Sequence, residues 1–405
     1  MEDLDLIAKL TQEADSKIVL LVMDGLGGIP TRPGGPTELE AAATPNLDRL
    51  AREGMVGLMH PVGIGISPGS GPGHLGLFGY DPLKYLIGRG VLEASGIGLA
   101  LTDLDLAARG NFCTVDGSGI ITDRRAGRIP TEECARMVNL MRDITLPGVE
   151  LIVEPVRDYR FALILRGSGL SDALNETDPQ KVGHKPLPVE AQNGTPEAAR
   201  AADLVNQWVS KVRERIKDEH PANMVTLRGW SRTPKMKPFQ DVYKMRPAAL
   251  AVYPMYKGLA SLVGMDLIPG LTTIDDQVAA LKTHWSEYDF FFVHYKYTDS
   301  RGEDGDFTAK VNEIEKVDRI VPAIMDLKPQ VLIVTGDHST PAALKSHSWH
   351  PVPVLMYAQG TMRANPEVKG FGESECLKGC LGQFLGKDLM VLATAFAERQ
   401  AKYGA

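Results

Sequence analysis

The sequence lacks the marks of a membrane-bound, secreted or nucleic-acid-binding protein. Only 4 of its 405 residues are cysteine, which excludes a disulfide framework as the basis of the fold. No stretch approaches the roughly 20 apolar residues that a membrane-spanning helix needs, and the acidic first residues show no signal-peptide pattern. Lys and Arg number 44 against 51 Asp and Glu, a net charge of −7 that gives no support for nucleic-acid binding. We therefore expect a cytoplasmic protein with neither a membrane nor a nucleic acid as partner; the sequence indicates no oligomeric state.

What the sequence has instead is a series of short apolar runs that lead to residues able to bind metals. An apolar run followed by a polar residue and glycine is typical of a buried parallel strand that meets its loop. In open α/β sheets, ligand sites form beyond the carboxyl ends of the strands, so side chains at these positions converge on one edge. Three runs lead to a carboxylate: residues 18–23 to Asp24, residues 290–293 to Asp299, and residues 331–334 to Asp337 and His338.

The rhythm of strands and helices suggests two domains. It runs from residue 16 to about residue 100 and resumes near residue 245, which predicts an α/β protein with a doubly wound core sheet and helices on both faces. The middle segment has short alternating strands, many arginines and an amphipathic helix predicted over residues 195–218. We therefore predict a discontinuous metal-binding domain, residues 1–100 and 241–405, and a smaller inserted α+β domain, residues 101–240, that binds the substrate.

Ser70 lies in a glycine-rich loop and has a glycine on each side. Flanking glycines allow close approach of the backbone and expose amides that can bind phosphate oxygens, and a metal-bound hydroxyl can act as a nucleophile without a histidine base. The alternative is that Ser70 is a turn residue, as we expect for Ser67. His74, four residues on, either contacts the same phosphate or caps the next helix, and its spacing does not separate these two roles.

Further candidate metal ligands follow the strands at short range. Asp299 and Glu303 are four residues apart and would share a helix face, while His347 comes nine residues after His338, within reach by a loop. Each residue alone is more often structural than functional. Together, at the ends of strands, they favour a two-metal site in which one ion activates the nucleophile and the other holds the transferring group.

The predicted inserted domain contains a basic cluster within an acidic chain. Arginine forks bind carboxylate and phosphate oxygens bidentately, so the cluster favours a small anionic substrate over the alternative of a solvated, salt-bridged surface. The segment of residues 122–128 places three guanidinium groups around one carboxylate. The candidate arginines are Arg109, Arg124, Arg125, Arg128, Arg160 and Arg166.

These features together resemble the cofactor-independent phosphoglycerate mutases of the archaeal type, which belong to the alkaline phosphatase superfamily. The resemblance covers nearly the whole chain, and its motifs occur in the right order. The matching segments are residues 22–25 (VMDG), 43–48 (ATPNLD), 68–70 (PGS), 74–75 (HL), 78–82 (FGYDP), 88–90 (GRG), 111–112 (NF), 122–129 (TDRRAGRI), 304–306 (DGD), 335–341 (TGDHSTP), 347–348 (HS) and 351–354 (PVPV).

The resemblance implies an alkaline-phosphatase-like core with two divalent cations, usually Mn²⁺, and no requirement for 2,3-bisphosphoglycerate. The implied ligands are Asp24, Ser70, Asp337 and His338 for one cation, and Asp299, His347 and Glu303 for the other. The family normally has histidine at the position of Glu303; the harder oxygen donor favours Mn²⁺ or Mg²⁺ over Zn²⁺. His350 also stands where the family more often has Asp.

The resemblance also implies the reaction on a small phosphorylated hydroxy acid. Ser70 would attack the phosphate of 3-phosphoglycerate to become phosphoserine, and the 2-hydroxyl of the reoriented glycerate would take the phosphoryl group back, without hydrolysis if water is excluded. Asp123, Arg124 and Arg128 match the substrate-binding segment, with Asp123 a candidate to handle the hydroxyl proton. Three alternatives remain open: the same chemistry on another acceptor such as homoserine, a plain phosphomonoesterase, and a catalytically silent binding protein with a decayed site.

Overall fold

The apolar runs of the sequence form central strands in the computed structural model, which describes residues 3–404. Every residue of the runs that precede Asp24 and Asp337 is buried, as expected for continuous Val, Ile and Leu sequences in a sheet covered on both faces. In chain order the strands are β1 (Ile18–Met23), β2 (Met55–His60), β3 (Asp105–Val115), β4 (Ile121–Asp123), β5 (Glu150–Arg157), β6 (Arg160–Arg166), β7 (Met224–Arg232), β8 (Pro247–Leu250), β9 (Asp266–Leu267), β10 (Phe290–Tyr295), β11 (Val331–Thr335), β12 (Val352–Ala358) and β13 (Gly382–Leu385).

Helices connect most of these strands, and α2 and α10 begin with capping boxes formed by a threonine and an acidic residue three positions on. In chain order the helices are α1 (Asp3–Leu10), α2 (Glu38–Ala41), α3 (Pro45–Glu53), α4 (Ser70–Leu77), α5 (Arg89–Gly96), α6 (Thr131–Asn139), α7 (Pro196–Ile216), α8 (Phe239–Tyr243), α9 (Pro254–Leu262), α10 (Ile274–Thr283), α11 (Tyr297–Asp304), α12 (Phe307–Met325), α13 (Glu373–Cys376) and α14 (Leu389–Phe396). Within residues 3–404, no helix has both the length and the apolar character needed to cross a membrane.

The larger sheet has eight strands in the order β13-β2-β12-β11-β1-β10-β8-β9. β1 is parallel to both of its neighbours, with Ile18 paired to Phe290 on β10 and to Val331 on β11. β12 runs antiparallel to β11 and β2. Because β1, β10 and β11 are parallel neighbours, the residues that follow them lie at one edge of the sheet. The predicted α/β class with a mainly parallel core sheet is confirmed.

The smaller sheet is antiparallel and belongs to the segment with alternating sequence. β3 pairs with β6 and β7, β5 pairs with β6, and the short β4 pairs with the end of β3. Helix α7, capped by Thr195, covers this sheet. Its apolar face packs into the core through Trp208, whose ring lies 6.2 Å from that of Phe161 between centroids.

The chain divides into two compact units. The first takes in the chain up to Leu86 and again from Met236, and the second is Ile87–Lys235. The boundaries therefore lie at 86/87 and 235/236, whereas the sequence analysis places them at 100/101 and 240/241. The first difference arises because α5 packs against β3 and β7. A Cβ atom at Gly90 would lie 2.4 Å from the Ala107 carbonyl, so this close approach requires glycine.

Candidate active site

The carboxyl ends of β1 and β11 bring two aspartates and a histidine into one buried group. Asp24 follows β1, and Asp337 and His338 follow β11; their candidate ligand atoms all lie within 4.8 Å of one another. His338 Nε2 is 3.3 Å from Asp24 Oδ1 and 3.3 Å from Asp337 Oδ2. We call Asp24, Asp337 and His338 the first ligand set.

The first ligand set has more hydrogen-bond acceptors than donors. Both side-chain oxygens of Asp24 and Oδ2 of Asp337 are buried and accept no hydrogen bond of good geometry, although side-chain nitrogens lie 3.1–3.3 Å from them. Burial alone would raise the pKa of Asp24, but the charges of Lys296 and neighbouring histidines outweigh burial and hold the pKa well below its usual range. A buried carboxylate with unpartnered oxygens is costly unless a cation is bound to it. The set therefore fits a divalent cation that accepts oxygen and imidazole ligands.

Ser70 lies against the first ligand set. Its Oγ atom is 3.2 Å from Nε2 of His338, and Ser70 is the first residue of α4, where backbone amides without helical partners favour an anion. Gly73 allows this arrangement, because a Cβ atom there would lie 2.2 Å from the carbonyl oxygen of Asp337. The serine hydroxyl is thus held next to the carboxylates by a close contact between a helix and a loop.

A second ligand set, Asp299, Glu303 and His347, lies next to the first. His347 Nε2 is 3.4 Å from Asp299 Oδ1 and 3.8 Å from Glu303 Oε1. The rings of His347 and His338 stack with 3.6 Å between centroids. Asp299 and Glu303 occupy successive turns of α11, but the Glu303 side chain is 56% exposed while that of Asp299 is buried. Glu303 is therefore at the rim of the group, where partial burial and the charge of Asp299 raise its pKa.

Asp299 and His347 form an ion pair within the second ligand set. Burial would raise the pKa of Asp299 and lower that of His347, but the hydrogen bond between them reverses both effects. The pKa of Asp299 falls to about 2 and that of His347 rises to about 9. Nδ1 of His347 is 2.9 Å from the carbonyl oxygen of Pro68, which lies two residues before Ser70. This contact ties the second ligand set to the loop that carries the serine.

Two residues that the sequence analysis missed reach the same carboxylates. Lys296 Nζ is 3.3 Å from Asp24 Oδ2 and 2.5 Å from Asp299 Oδ2. Burial opposes its charge, but these two carboxylates outweigh burial and raise the pKa of Lys296. His294, within β10, places Nε2 3.2 Å from Asp24 Oδ2 and stacks on Tyr256. A polar residue inside an otherwise apolar strand is the sequence signal that points to His294.

His74 is fully buried beneath the first ligand set. Its Nδ1 atom is 2.8 Å from the carbonyl oxygen of Ser70 and 3.1 Å from Asp337 Oδ2. Its ring packs against Tyr256 and His294. The side chain therefore supports Asp337 from inside the protein, and its predicted contact with a phosphate stays a prediction.

His350, the second departure from the family pattern, forms contacts within its own loop. Its Nδ1 atom is 3.0 Å from Ser348 Oγ, and its ring stacks on that of Trp349 with 5.1 Å between centroids. These contacts give His350 a local structural role.

In the second unit, two of the candidate arginines form bidentate ion pairs with aspartates. Arg124 donates to Asp178 at 3.1 and 2.8 Å, and Arg166 donates to Asp105 at 2.7 and 2.9 Å. Both partners are distant in sequence, so the arginine pattern alone could not indicate them. These guanidinium groups already have carboxylate partners inside the unit.

Arg109 and Arg160 belong to a cluster that also includes Arg89 and Arg228, which the sequence analysis missed. Arg109 is buried, and burial together with the three neighbouring guanidinium groups lowers its pKa to about 10 despite the nearby Glu93. The Nε atoms of Arg160 and Arg228 are buried without a hydrogen-bond partner. A group of cations with unsatisfied donors is suited to binding an anion. We call these four residues the arginine cluster.

Asp123 caps a tight turn. Its two oxygens accept hydrogen bonds from the backbone amides of Arg125 and Gly127, at 2.8 and 2.7 Å. The side chains of Arg125 and Arg128 are exposed, and that of Arg124 turns towards Asp178. The three guanidinium groups therefore do not surround the Asp123 carboxylate, which instead accepts hydrogen bonds from two backbone amides.

Comparison with known proteins finds relatives along the whole chain. The family described as 2,3-bisphosphoglycerate-independent phosphoglycerate mutase matches residues 51–223. A protein of Thermus thermophilus named probable 2,3-bisphosphoglycerate-independent phosphoglycerate mutase is 50% identical over 100% of both chains, and one of the same name from Aquifex aeolicus is 48% identical over 99% of this chain and 100% of its own. Among solved structures, a cofactor-independent phosphoglycerate mutase of Thermoplasma acidophilum is 30% identical with a TM-score of 0.72, over 94% of this chain and 100% of its own. A protein of Pyrococcus horikoshii is also 30% identical, with a TM-score of 0.82, over 98% of this chain and 100% of its own.

Proposed function

Because the chain belongs to the family of 2,3-bisphosphoglycerate-independent phosphoglycerate mutases, we propose that it interconverts 3-phosphoglycerate and 2-phosphoglycerate with Ser70 as the nucleophile. The observation that carries this proposal is the position of the Ser70 hydroxyl, 3.2 Å from His338 and beside buried carboxylate oxygens that accept no hydrogen bond of good geometry. A hydroxyl in such a place is suited to phosphoryl transfer. The phosphoryl group returns to the same glycerate, so 2,3-bisphosphoglycerate is not required.

We assign the first ligand set with Ser70 to one divalent cation and the second ligand set to another. Bound there, the cations would supply positive charge beside the serine hydroxyl and the oxygens of the transferring phosphoryl group. The donor sets are rich in carboxylate oxygen, since Glu303 stands where the family normally has histidine, and this favours Mn²⁺ or Mg²⁺ over Zn²⁺. We propose Mn²⁺ as the cation.

The chain's own groups act on the substrate in stages. Ser70 Oγ forms a bond to phosphorus as the bond to the 3-oxygen of the glycerate breaks, and the reverse step later joins phosphorus to the 2-oxygen. The amides at the start of α4 and the ammonium of Lys296 add positive charge near the reacting group. Asp123 is our candidate for the group that gives and takes the hydroxyl proton.

We propose that the second unit binds the carboxylate and hydroxyls of the glycerate. The arginine cluster is the best-supported anion site there, because two of its Nε atoms are buried without a hydrogen-bond partner; the nearest carboxylate to Arg228 Nε is that of Glu176, at 3.8 Å. Arg124, Arg125 and Arg128 remain candidates through the family motif alone, and the ion pair with Asp105 makes Arg166 the weakest candidate.

The test is interconversion of 3-phosphoglycerate and 2-phosphoglycerate with added Mn²⁺ and without 2,3-bisphosphoglycerate, before and after treatment with a chelator. We expect conversion that the chelator abolishes, with no release of inorganic phosphate. Release of phosphate alone would identify a phosphomonoesterase, and absence of any reaction would redirect the search to a different acceptor, such as homoserine.

A further inference from the structure

One hydroxyl group connects the two ligand sets. Thr340 is fully buried, and its Oγ atom lies 2.6 Å from Oδ1 of Asp299, in the second set, and 2.9 Å from Nδ1 of His338, in the first. The sequence analysis did not single out Thr340 as a site residue.

The chemistry of these three groups determines which atom carries each proton. An ionised carboxylate only accepts hydrogen bonds, and a threonine hydroxyl has a single proton to donate. Thr340 therefore donates to Asp299, and Nδ1 of His338 must donate to Thr340. In a neutral imidazole that leaves Nε2 with its lone pair. Nε2 is the atom that faces Ser70, Asp24 and Asp337, so the hydroxyl selects the form of His338 that can bind a cation in the first set.

The backbone of Thr340 holds the hydroxyl in place. Its amide donates to the carbonyls of Gly25 and Gly27 in the loop that follows Asp24. Its own carbonyl accepts from Nζ of Lys310 at 2.8 Å, and the same ammonium donates to Gly25 and Gly27 at 2.9 and 3.0 Å. Packing is equally tight, because a Cβ atom at Gly25 would lie 2.5 Å from Oγ of Thr340.

We propose that Thr340 is a positioning residue for both cation sites. Its hydroxyl fixes the orientation and tautomer of His338, and its hydrogen bond to Asp299 orients that carboxylate. The proposal rests on the assignment of the two ligand sets made under Proposed function. Loss of a hydrogen bond that orients a metal ligand typically lowers metal affinity about 10- to 100-fold. One hydroxyl serving both sets therefore predicts that both affinities fall together.

The experiment compares Mn²⁺ binding to metal-stripped wild type, Thr340→Val, Thr340→Ser and Thr335→Val by isothermal titration calorimetry. Valine keeps the shape of threonine without the hydroxyl, and serine keeps the hydroxyl. Thr335→Val is the matched control, since this buried hydroxyl on β11 donates to the carbonyl of Pro353 and to neither ligand set. We expect two Mn²⁺ ions on wild type, Thr340→Ser and the control, and at least tenfold weaker binding at both sites in Thr340→Val.

Equal Mn²⁺ binding by Thr340→Val and wild type overturns the inference, as does weakening at one site alone or equal weakening in Thr335→Val. A wild type that binds no Mn²⁺ overturns the cation assignment itself, a separate failure. Should Thr340→Val not fold, the nitrogen-15 NMR spectrum of metal-stripped wild type decides the question. A proton on Nδ1 of His338 supports the inference, and a proton on Nε2 instead overturns it.

Discussion

Ser70 Oγ and His338 Nε2 lie 3.2 Å apart, although 268 residues separate them in the chain. The contact joins the first turn of α4 to the loop after β11. Of the hydroxyl groups in the glycine-rich loop, only that of Ser70 is buried against carboxylates. The contact places this hydroxyl next to His338, a candidate metal ligand. The role of Ser70 is therefore the first prediction to test.

Replacing Ser70 by alanine should abolish the interconversion of phosphoglycerates, because the methyl group cannot accept a phosphoryl group. We expect a fall in kcat of about four orders of magnitude or more, with an unchanged circular dichroism spectrum. Ser67→Ala is the control, since Ser67 is exposed in the same loop and should retain full activity. Turnover that survives in Ser70→Ala would rule out the nucleophile assignment.

Replacing Glu303 by alanine should weaken the second cation site, because the variant removes a carboxylate that we propose as one of its ligands. We expect roughly 10- to 100-fold lower activity at limiting Mn²⁺, with partial recovery at high Mn²⁺. Activity is measured as a function of Mn²⁺ concentration. Asp304→Ala, which removes an exposed carboxylate from the next position, is the matched control. If Glu303→Ala equals wild type at every concentration, Glu303 is not a ligand.

Replacing Arg160 by methionine should raise KM for phosphoglycerate more than it lowers kcat, since the arginine cluster is proposed to bind the substrate carboxylate. A charged hydrogen bond contributes about 1.5–3 kcal/mol, so the expected change is roughly 10- to 100-fold. Steady-state kinetics measures both constants. Arg213→Met, an exposed change on α7, is the control, and an unchanged KM in Arg160→Met would place the carboxylate elsewhere.

Replacing Lys310 by methionine should destabilise the fold. The Lys310 ammonium is fully buried and donates to three carbonyl oxygens from two loops. Losing these bonds leaves the buried Thr340 carbonyl without its donor, and the carbonyls of Gly25 and Gly27 keep only the shared amide of Thr340. We expect a loss of about 3 kcal/mol in the free energy of unfolding. Urea denaturation of chelated protein measures it. Lys316→Met on the same helix, where the side chain is 48% exposed, should cost less than about 1 kcal/mol; similar losses in both variants would contradict the prediction.

The raised pKa of Glu373 predicts how the stability of the protein changes with pH. Burial raises its pKa from 4.5 to about 7, so the folded state holds this proton more tightly than the unfolded state does. The contribution of Glu373 to the free energy of unfolding is fully present below about pH 4.5. It is lost as pH rises through 7, a decrease of roughly 3 kcal/mol.

The measurement is the difference in unfolding free energy between wild type and Glu373→Gln from pH 4.5 to pH 8. The variant cannot ionise, so its stability relative to wild type should increase over this range. Glu375→Gln is the contrasting control, because a hydrogen bond from Lys378 lowers the pKa of Glu375 and its contribution is lost as pH falls. A constant difference for Glu373→Gln would show that Glu373 has an ordinary pKa.

The sequence predicts the core sheet well, because burial on both faces leaves a readable signal. The continuous apolar runs before Asp24 and Asp337 indicate strands that are buried on both faces. Parallel pairing of such strands brings the residues that follow them to one edge of the sheet. The prediction that Asp24 and His338 lie close together required no knowledge of the loops between them. Local pattern and one general rule of sheet topology were sufficient.

Other features depend on partners that no local pattern identifies. The pairing of Arg124 with Asp178 and of Arg166 with Asp105 follows from how the strands of the second unit are arranged. Lys296 lies beside Asp24 because β1 and β10 are neighbours, whereas its other partner, Asp299, is only three residues further along the chain. The first domain boundary predicted from the sequence, 100/101, differs from the boundary of the compact units, 86/87, because the packing of α5 depends on a backbone contact at Gly90.

The discontinuity of the first unit has a consequence for the protein's synthesis. β1 leaves the ribosome early, yet both of its sheet neighbours, β10 and β11, lie in the last third of the chain. At about 5–20 residues per second, this apolar strand waits on the order of tens of seconds for a pairing partner. The second unit, by contrast, is continuous in sequence and can fold in the interval. Residues 18–23 are thus an apolar segment of the nascent chain that needs protection, for example by a chaperone, until its partners are made.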